Sequence, residues 1–257
     1  MTERSKWFIP MQFIADMHTH TLASTHAYST VTENAAEAER KGIKLMAVTD
    51  HGTTMPDTPH EWHFFNLKVL PRKIGDVFII RGIEANIIDF NGSIDVPDGM
   101  YSSLDWIIAS YHSMVPNMPG TANQHTNSYI KALENPRINC LGHTDSQNYP
   151  YDIREVCTAC REYGKAMELN VSRIRDIEKP SAQEAYKFYR NLLTVCAEEG
   201  TNIVVNSDSH FWNTIGGFEP AARLIEEVKF PLELVLSLDE RRMKDFIIRH
   251  RQRNIFE

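Results

Sequence analysis

The chain has 257 residues and a formal net charge of −7, and 42% of its residues are hydrophobic and 24% charged. This composition is typical of a globular protein with a full core, and it excludes a disordered tail or a fibrous repeat. The acidic balance disfavours nucleic-acid binding, and the apolar stretches fall short of the roughly 18 to 20 residues that cross a bilayer. We expect one domain over residues 1–257, although a chain of this length can also form two.

The N-terminus and the cysteines indicate a compartment. The first residues mix acidic and basic side chains with a proline before any continuous apolar run, so they lack the centre of a secretory signal. Four cysteines are too few for a disulfide scaffold in a chain of this length and are typical of a reducing compartment. We expect a cytoplasmic protein that does not enter a membrane.

Short runs of apolar and β-branched residues alternate with longer stretches of helical periodicity, the pattern of βα units around a parallel sheet. The seven predicted strands are 13–17, 44–49, 77–84, 106–111, 138–142, 166–169 and 203–206. The predicted helices are 31–41, 123–133, 153–163, 182–199, 220–227 and 239–249. Thr32 and Asp239 are the expected N-caps of the first and last helices. The fold class predicted from this alternation is α/β.

Two segments interrupt the alternation. Residues 87–96 carry Asn91-Gly92 between alternating residues, which predicts a hairpin. Residues 52–76 contain three prolines and several aromatic side chains, which predicts a long ordered loop with one short helix. Both segments begin near the end of a predicted strand, so we expect them to lie over or beside that end of the sheet.

Histidines and carboxylates follow six of the seven predicted strands. In parallel α/β folds the working residues gather at the carboxyl ends of the strands. A single histidine is more often structural, but structural histidines would not all choose one end of the sheet. Their convergence predicts a metal centre with nine donors: His18, His20, His26, His51, Glu84, His112, His143, Asp208 and His210.

Nine donors are too many for one ion of four or five ligands, whereas three ions can use them if a carboxylate bridges two. No cysteine lies at a predicted strand end, so the ligands are nitrogen and oxygen atoms only. This donor set favours zinc, with manganese and iron as alternatives, and disfavours a thiolate zinc site.

Four short motifs in the chain resemble the PHP domain family, named for polymerase and histidinol phosphatase. They are DMHTH at 16–20, TDHG at 49–52, LGHTD at 141–145 and SDSH at 207–210. Longer segments are similar to the stand-alone bacterial probable phosphatases of the YcdX type: STHAYST at 24–30, PHEWHFFN at 59–66 and RGIEANI at 81–87. The resemblance extends over essentially the whole chain.

The resemblance implies a distorted (βα)7 barrel, similar to a TIM barrel, with three metal ions at the carboxyl ends of its strands. It implies one ion on His18, His20, Glu84 and Asp208, a second on Glu84, His112 and His143, and a third on His26, His51 and His210. The chain departs from close relatives at 142–147, where it reads GHTDSQ and they carry Ser-His-Pro-Gly-Asn-Pro. We therefore expect a different substrate preference.

Charge indicates the chemistry of such a centre. Three divalent ions and two carboxylates leave a charge of about +4, which attracts phosphate. Water on these ions has its pKa lowered to roughly 7, so hydroxide can attack phosphorus without a protein nucleophile. We predict a metal-dependent phosphatase for a small phosphomonoester, in which Glu84 bridges two ions and Asp208 and His210 are the candidates to move protons.

Two alternatives remain open at this point. PHP domains joined to DNA polymerases act as 3′–5′ exonucleases, so a phosphodiesterase is the nearest rival, and degenerate PHP domains are non-catalytic metal-binding or regulatory modules. The sequence leaves open whether copies of the chain associate as a homo-oligomer. It also leaves the natural substrate and the physiological metal undetermined.

Two further pairs of polar residues each have two interpretations. Arg173 and Arg175 follow the sixth predicted strand; solvent is the first expectation for them and phosphate binding the second. Asp16 and Asp50 flank predicted ligands and can either orient imidazole N–H groups or cap turns.

Four histidines lie outside the predicted ligand set. His60 and His63 in the segment 52–76 are expected to line the substrate site or to serve the structure. His125 and His250 are expected at the surface.

Overall fold

A computed structural model of the protein describes residues 11–56, 58–115 and 119–257. Seven parallel strands form its sheet in the order β1-β2-β4-β5-β6-β7-β8, and a short antiparallel strand, β3, pairs with β4. The strands are β1 (Ala15–Asp16), β2 (Leu45–Val48), β3 (Lys73–Ile74), β4 (Val77–Asn86), β5 (Trp106–Ser110), β6 (Cys140–Gly142), β7 (Ala166–Asn170) and β8 (Asn202–Asn206). A parallel bridge between Thr19 and Ser209 joins the loops that follow β1 and β8, so the barrel is nearly closed. The predicted α/β barrel with seven parallel strands is confirmed.

Seven α-helices accompany the strands among the described residues. They are α1 (Val31–Arg40), α2 (Trp62–Asn66), α3 (Ala122–Leu133), α4 (Ile153–Glu162), α5 (Pro180–Glu199), α6 (Glu219–Glu227) and α7 (Glu240–Arg251). The N-cap of α1 is Thr30 and not Thr32, because the Thr30 side chain accepts from Glu33 N while Glu33 accepts from Thr30 N, a capping box. Asp239 caps α7 as predicted. No helix in the described part of the chain is long and apolar enough to cross a membrane.

Apolar side chains fill both sides of the sheet. Residues two apart on a strand share a side, so Leu45 and Ala47 pack inside the barrel, where Trp106 is fully buried. Met46 and Val48 on the same strand pack in the larger cluster that includes the helices. Burial of both faces explains why the strands are near-continuous apolar runs and not alternating ones.

The inward positions change from apolar to polar along each strand. On β4, Phe78 and Ile80 belong to the interior cluster and Glu84 follows in the same alternation; on β5, Ile108 precedes His112 in the same way. The carboxyl end of the barrel is therefore lined by polar groups above an apolar floor. We call this end the mouth.

The two interrupting segments have the predicted character. In 87–96 the chain turns back, but regular pairing is limited to one antiparallel bridge between Ile87 and Ile94. Gly92 in this turn has φ +73°, and a Cβ there would lie 2.3 Å from Ala132 N, so only glycine fits. The segment 52–76 contains the expected short helix, α2, and reaches the mouth through His63.

Candidate metal centre

Glu84 is the middle of the candidate centre, and its fully buried carboxylate faces five imidazoles. Its Oε2 atom lies near three ring nitrogens: His51 Nδ1 at 2.9 Å, His18 Nε2 at 3.3 Å and His20 Nε2 at 3.5 Å. Its Oε1 atom lies 3.1 Å from two others, His112 Nε2 and His143 Nε2. Each oxygen thus faces its own set of rings, which is the arrangement of a carboxylate that can bridge two ions.

Asp208 is the second carboxylate of the cluster. Its Oδ1 lies 3.2 Å from His20 Nε2 and 3.5 Å from His18 Nε2, and its Oδ2 lies 3.4 Å from His143 Nε2. His143 and Asp208 both have φ +49°, a left-handed conformation that non-glycine residues rarely adopt. Strained backbone of this kind is concentrated at functional sites.

The remaining predicted donors lie on one side of this cluster. Donor atoms of His20, His51 and His210 are all within 4.8 Å of one another. The His26 ring is exposed and stacks on His210 with a centroid separation of 4.4 Å and on His51 with one of 5.0 Å. The structure therefore brings all nine predicted donors to the mouth, with His26 at its solvent edge.

Residues that sequence reasoning missed fix two of the rings. His18 Nδ1 lies 2.7 Å from Glu168 Oε1, and His112 Nδ1 lies 2.7 Å from Asn86 Oδ1. Histidines that bind metal usually engage their other nitrogen in this way, which sets the tautomer and the ring orientation. A signal was available for Glu168, because an acidic residue inside a strand buried on both faces requires a partner.

Gly142 makes room for this arrangement. A Cβ at Gly142 would lie 3.1 Å from Glu168 Oε2 and 2.6 Å from a methyl group of Ile108. The Glu168 Oε2 atom accepts the backbone N–H of His143 at 3.1 Å. The glycine in the divergent segment 142–147 is thus linked to the position of the Glu168 carboxylate.

The aspartates that flank predicted ligands have different roles. Asp50 accepts from Thr21 N at 2.8 Å and from Ser24 Oγ at 2.9 Å, and lies 3.1 Å from His63 Nε2. Asp50 therefore orders a turn and contacts the imidazole of a residue outside the ligand set. Asp16 accepts two backbone N–H groups from the chain after β8 and caps that loop.

Two of the expectations about surface residues are corrected. Arg173 is exposed as expected, and its Nε also donates to Asp145 Oδ2 at 2.7 Å, while the half-buried Arg175 donates to a backbone carbonyl after β8. His125 and His250 are buried and not at the surface, with 0% and 7% exposure. Both lie on amphipathic helices, where a histidine facing inward is hard to distinguish from one facing solvent by sequence alone.

The titration of the buried groups suits a cation. Burial alone would raise the pKa values of Glu84 and Asp208, but the imidazoles that face them, that of His18 first, hold both well below their ordinary values. Burial and neighbouring imidazoles, that of His51 first, lower the pKa of His20 to about 3. Despite burial, Glu84 and the neighbouring carboxylates raise the pKa of His143 to about 9 and that of His18 well above its ordinary value. The carboxylates thus favour positive charge in the cluster, on imidazolium or on a metal ion, and metal binding would release the protons of these two rings.

Several buried donor atoms in the cluster have no hydrogen bond to any described residue. They are both carboxylate oxygens of Glu84, Oδ1 of Asp208, Nε2 of His112 and Nε2 of His210. Buried polar atoms without a hydrogen bond are costly, and divalent cations coordinated by these oxygen and nitrogen atoms would satisfy them. The residues therefore fit nitrogen- and oxygen-ligated metal ions.

Comparison with known proteins identifies the class. The PHP domain model matches residues 16–229, so the chain belongs to the PHP family. A probable phosphatase of Thermoanaerobacter sp. (strain X514) is 40% identical over 237 residues, which is 92% of this chain and 95% of that protein. A probable phosphatase of Acetivibrio thermocellus is 40% identical over 243 residues, or 95% and 98% of the two chains. These names confirm the predicted enzyme class, a hydrolase of phosphoester bonds.

A solved structure confirms the barrel. Histidinol phosphate phosphatase from Lactococcus lactis, crystallised with zinc, L-histidinol and phosphate, superposes with a TM-score of 0.61. The match covers 86% of this chain and 95% of that one at 18% identity. At that identity the similarity establishes the fold, which is the TIM-like barrel that the resemblance implied.

Proposed function

We propose that this protein is a metal-dependent phosphatase that hydrolyses a small phosphomonoester at a centre of three ions in the mouth. The observation that carries the proposal is the position of Glu84, whose two oxygens face separate sets of imidazoles. A carboxylate that bridges two ions belongs to sites that hold both the attacking and the leaving oxygen of an in-line displacement.

The proposed ligand sets are those that the resemblance to the PHP family implies. Among the described residues the donor atoms also form other groups, such as His51, Glu84 and His112, and His20, His51 and His210. One ion is assigned to His18, His20, Glu84 and Asp208, a second to Glu84, His112 and His143, and a third to His26, His51 and His210. Bound divalent ions would supply positive charge to the phosphate oxygens and lower the pKa of a bound water toward about 7. Zinc is proposed first, since the donors are imidazoles and carboxylates and the Lactococcus lactis enzyme was crystallised with zinc.

The surrounding residues of the chain hold these donors in place. Ser172 Oγ and Asn170 Nδ2 donate to Asp208 Oδ2 at 2.9 and 3.1 Å, which leaves Oδ1 directed at His20. His210 Nδ1 lies 3.5 Å from Asp208 Oδ1, at the edge of the mouth. Asp208 and His210 are therefore the proposed groups that move a proton to the leaving oxygen.

A small substrate is favoured over a polymer. The segment 52–76 lies against the mouth, because His63 contacts Asp50 next to the predicted ligand His51. The net charge of −7 provides no extended basic track for a nucleic-acid backbone, whereas one phosphate requires only the local positive field of the ions.

The test is a comparison of substrates on one metal-reconstituted preparation. A panel of phosphomonoesters is assayed beside single- and double-stranded DNA, with His18→Ala as the inactivating variant and His60→Ala as its matched control. The exposed His60 ring lies against Trp62 and accepts from Trp62 N at 3.2 Å, outside the candidate metal centre. We expect hydrolysis of an aryl phosphate that rises toward alkaline pH, loss of it in His18→Ala only, and little DNA cleavage. DNA turnover equal to or above the monoester rate, and abolished by His18→Ala, would favour the exonuclease; no turnover at full metal loading would favour the regulatory module.

A further inference from the structure

Four exposed apolar side chains surround one edge of the mouth, and nothing in the ligand set accounts for them. Leu22, Tyr28, Phe211 and Trp212 have 56%, 69%, 42% and 39% exposure. Each lies within two residues of a predicted ligand, since Leu22 follows His20, Tyr28 follows His26, and Phe211 and Trp212 follow His210. We call these four residues the apolar shelf.

Backbone hydrogen bonds join the two loops of the apolar shelf into one surface. Leu22 N donates to Ser29 O at 2.9 Å, and Tyr28 N donates to His210 O at 2.8 Å. Trp212 N donates to Ser29 Oγ at 2.8 Å, and the rings of Phe211 and Trp212 are 5.5 Å apart. The shelf is therefore a fixed patch that continues directly from the stacked rings of His26 and His210.

The shelf carries no formal charge. Segments 21–32 and 209–218 contain no lysine, arginine, aspartate or glutamate. Large apolar side chains that are exposed together beside a polar site mark a surface for a ligand. Their aromatic faces suit a flat organic group and offer no ion-pair partner to a second negative charge.

We propose that the apolar shelf binds the organic part of the substrate, so that the enzyme prefers phosphomonoesters of aromatic alcohols that carry no second negative charge. This inference rests on the proposed function, because it assumes that the phosphate lies at the metal centre. The ester substituent must leave the mouth over one of its edges. Among the edges that the structure describes in full, the one after β6 and β7 is occupied by side chains that pair with one another, and His63 of the segment 52–76 contacts Asp50, whereas the shelf is open to solvent.

The experiment compares two esters whose alcohols have similar acidity, benzyl phosphate and ethyl phosphate, so that the difference reports on the substituent and not on the leaving group. We expect kcat/KM for benzyl phosphate to exceed that for ethyl phosphate by about tenfold, and Trp212→Ala to lower this ratio by roughly five- to tenfold. Tyr28→Ala should lower it in the same direction. Tyr163→Ala, an exposed tyrosine that ends α4 near the opposite end of the barrel, is the matched control and should leave the ratio unchanged.

A binding measurement separates the failure of this inference from failure of the proposed function. Calorimetry on metal-loaded protein compares benzylphosphonate with methylphosphonate, which are not hydrolysed. Tighter binding of benzylphosphonate that is lost in Trp212→Ala supports the shelf even if no monoester is turned over. Equal turnover and equal binding of the two members of each pair would overturn the shelf and leave the phosphatase intact. If the protein is a dimer and Trp212→Ala dissociates it without changing the benzyl-to-ethyl ratio of kcat/KM, the apolar shelf joins two copies of the chain. That result would also overturn the inference.

Discussion

Two neighbouring regions of the mouth are built in opposite ways. After β1 and β8, the apolar shelf exposes uncharged side chains to solvent. After β6 and β7, charged and polar side chains bind one another: Arg173 Nε donates to Asp145 Oδ2 at 2.7 Å, and Tyr189 Oη donates to Asp145 Oδ1 at 3.1 Å. We call these three residues the paired rim.

The difference indicates that the two regions have separate roles around the candidate metal centre. The side chains of the paired rim form hydrogen bonds and an ion pair with one another. They lie beside Glu168, Asn170 and Ser172, whose side chains contact the predicted ligands His18 and Asp208. Side chains of the shelf contact solvent and are available to a ligand. We therefore expect changes at the paired rim to alter stability, and changes at the shelf to alter substrate choice.

The largest effect is expected at Glu84, the central carboxylate of the candidate metal centre. Glu84→Gln removes charge from two proposed ions at once, so the loss in kcat should exceed the roughly 100-fold that is the upper range for residues behind the ligands. Steady-state kinetics and metal content are measured together, with His60→Ala as the control. Near wild-type turnover in Glu84→Gln would mean that Glu84 does not bridge.

A smaller effect is expected one layer behind the ligands. Glu168→Gln weakens the acceptor that lies 2.7 Å from His18 Nδ1, so metal affinity should fall about 10- to 100-fold. Competition with a chelator measures this affinity. Glu162→Gln, the same change at the exposed end of α4, is the control. Unchanged affinity in Glu168→Gln would show that the contact does not orient His18 for binding.

The smallest effect is expected at the paired rim and distinguishes it from the shelf. Asp145→Asn removes the charge from a buried carboxylate that pairs with the Arg173 guanidinium. Because the Arg173 side chain is 43% exposed, solvent screens the pair, and we expect the free energy of unfolding to fall by only about 1–2 kcal/mol. Urea denaturation measures the loss, and Asp176→Asn, in an exposed pair with Lys179, should change stability within error. The benzyl-to-ethyl ratio should stay constant in Asp145→Asn. A changed ratio with unchanged stability would place substrate selection at the paired rim instead.

Sequence reasoning recovered the seven parallel strands and the position of most donors for a physical reason, and the barrel came from the family resemblance. Predicted ligands such as His112 and Glu84 lie at or near the end of a buried apolar run, and parallel strands bring such ends to one side. Glu168 was missed because it lies inside a predicted strand and not after it, although an acidic residue in a buried strand is itself a signal. The pairing of Asp145 with Arg173 joins residues 28 positions apart on two irregular loops, and no periodicity relates them.

Two local features of the chain have different origins. Thr30 and Thr32 are chemically equivalent as helix caps, and only the contact of Thr30 with Glu33 decides between them. His26 lies in an irregular loop, so its place at the solvent edge of the cluster depends on how that loop folds against His210. The cap was therefore readable from local sequence, because Thr30 has Glu33 three residues later whereas Thr32 has Ala35. The place of His26 is set by tertiary contacts.

The number of metal ions bound per chain tests the central claim most directly. Protein purified without chelator and supplied with divalent metal is analysed for elemental content and protein concentration on the same sample. The nine donors at the mouth predict close to three transition-metal ions per chain, falling by more than one in Glu84→Gln. A count near one, which does not rise when zinc, manganese or iron is added, would contradict the three-ion centre.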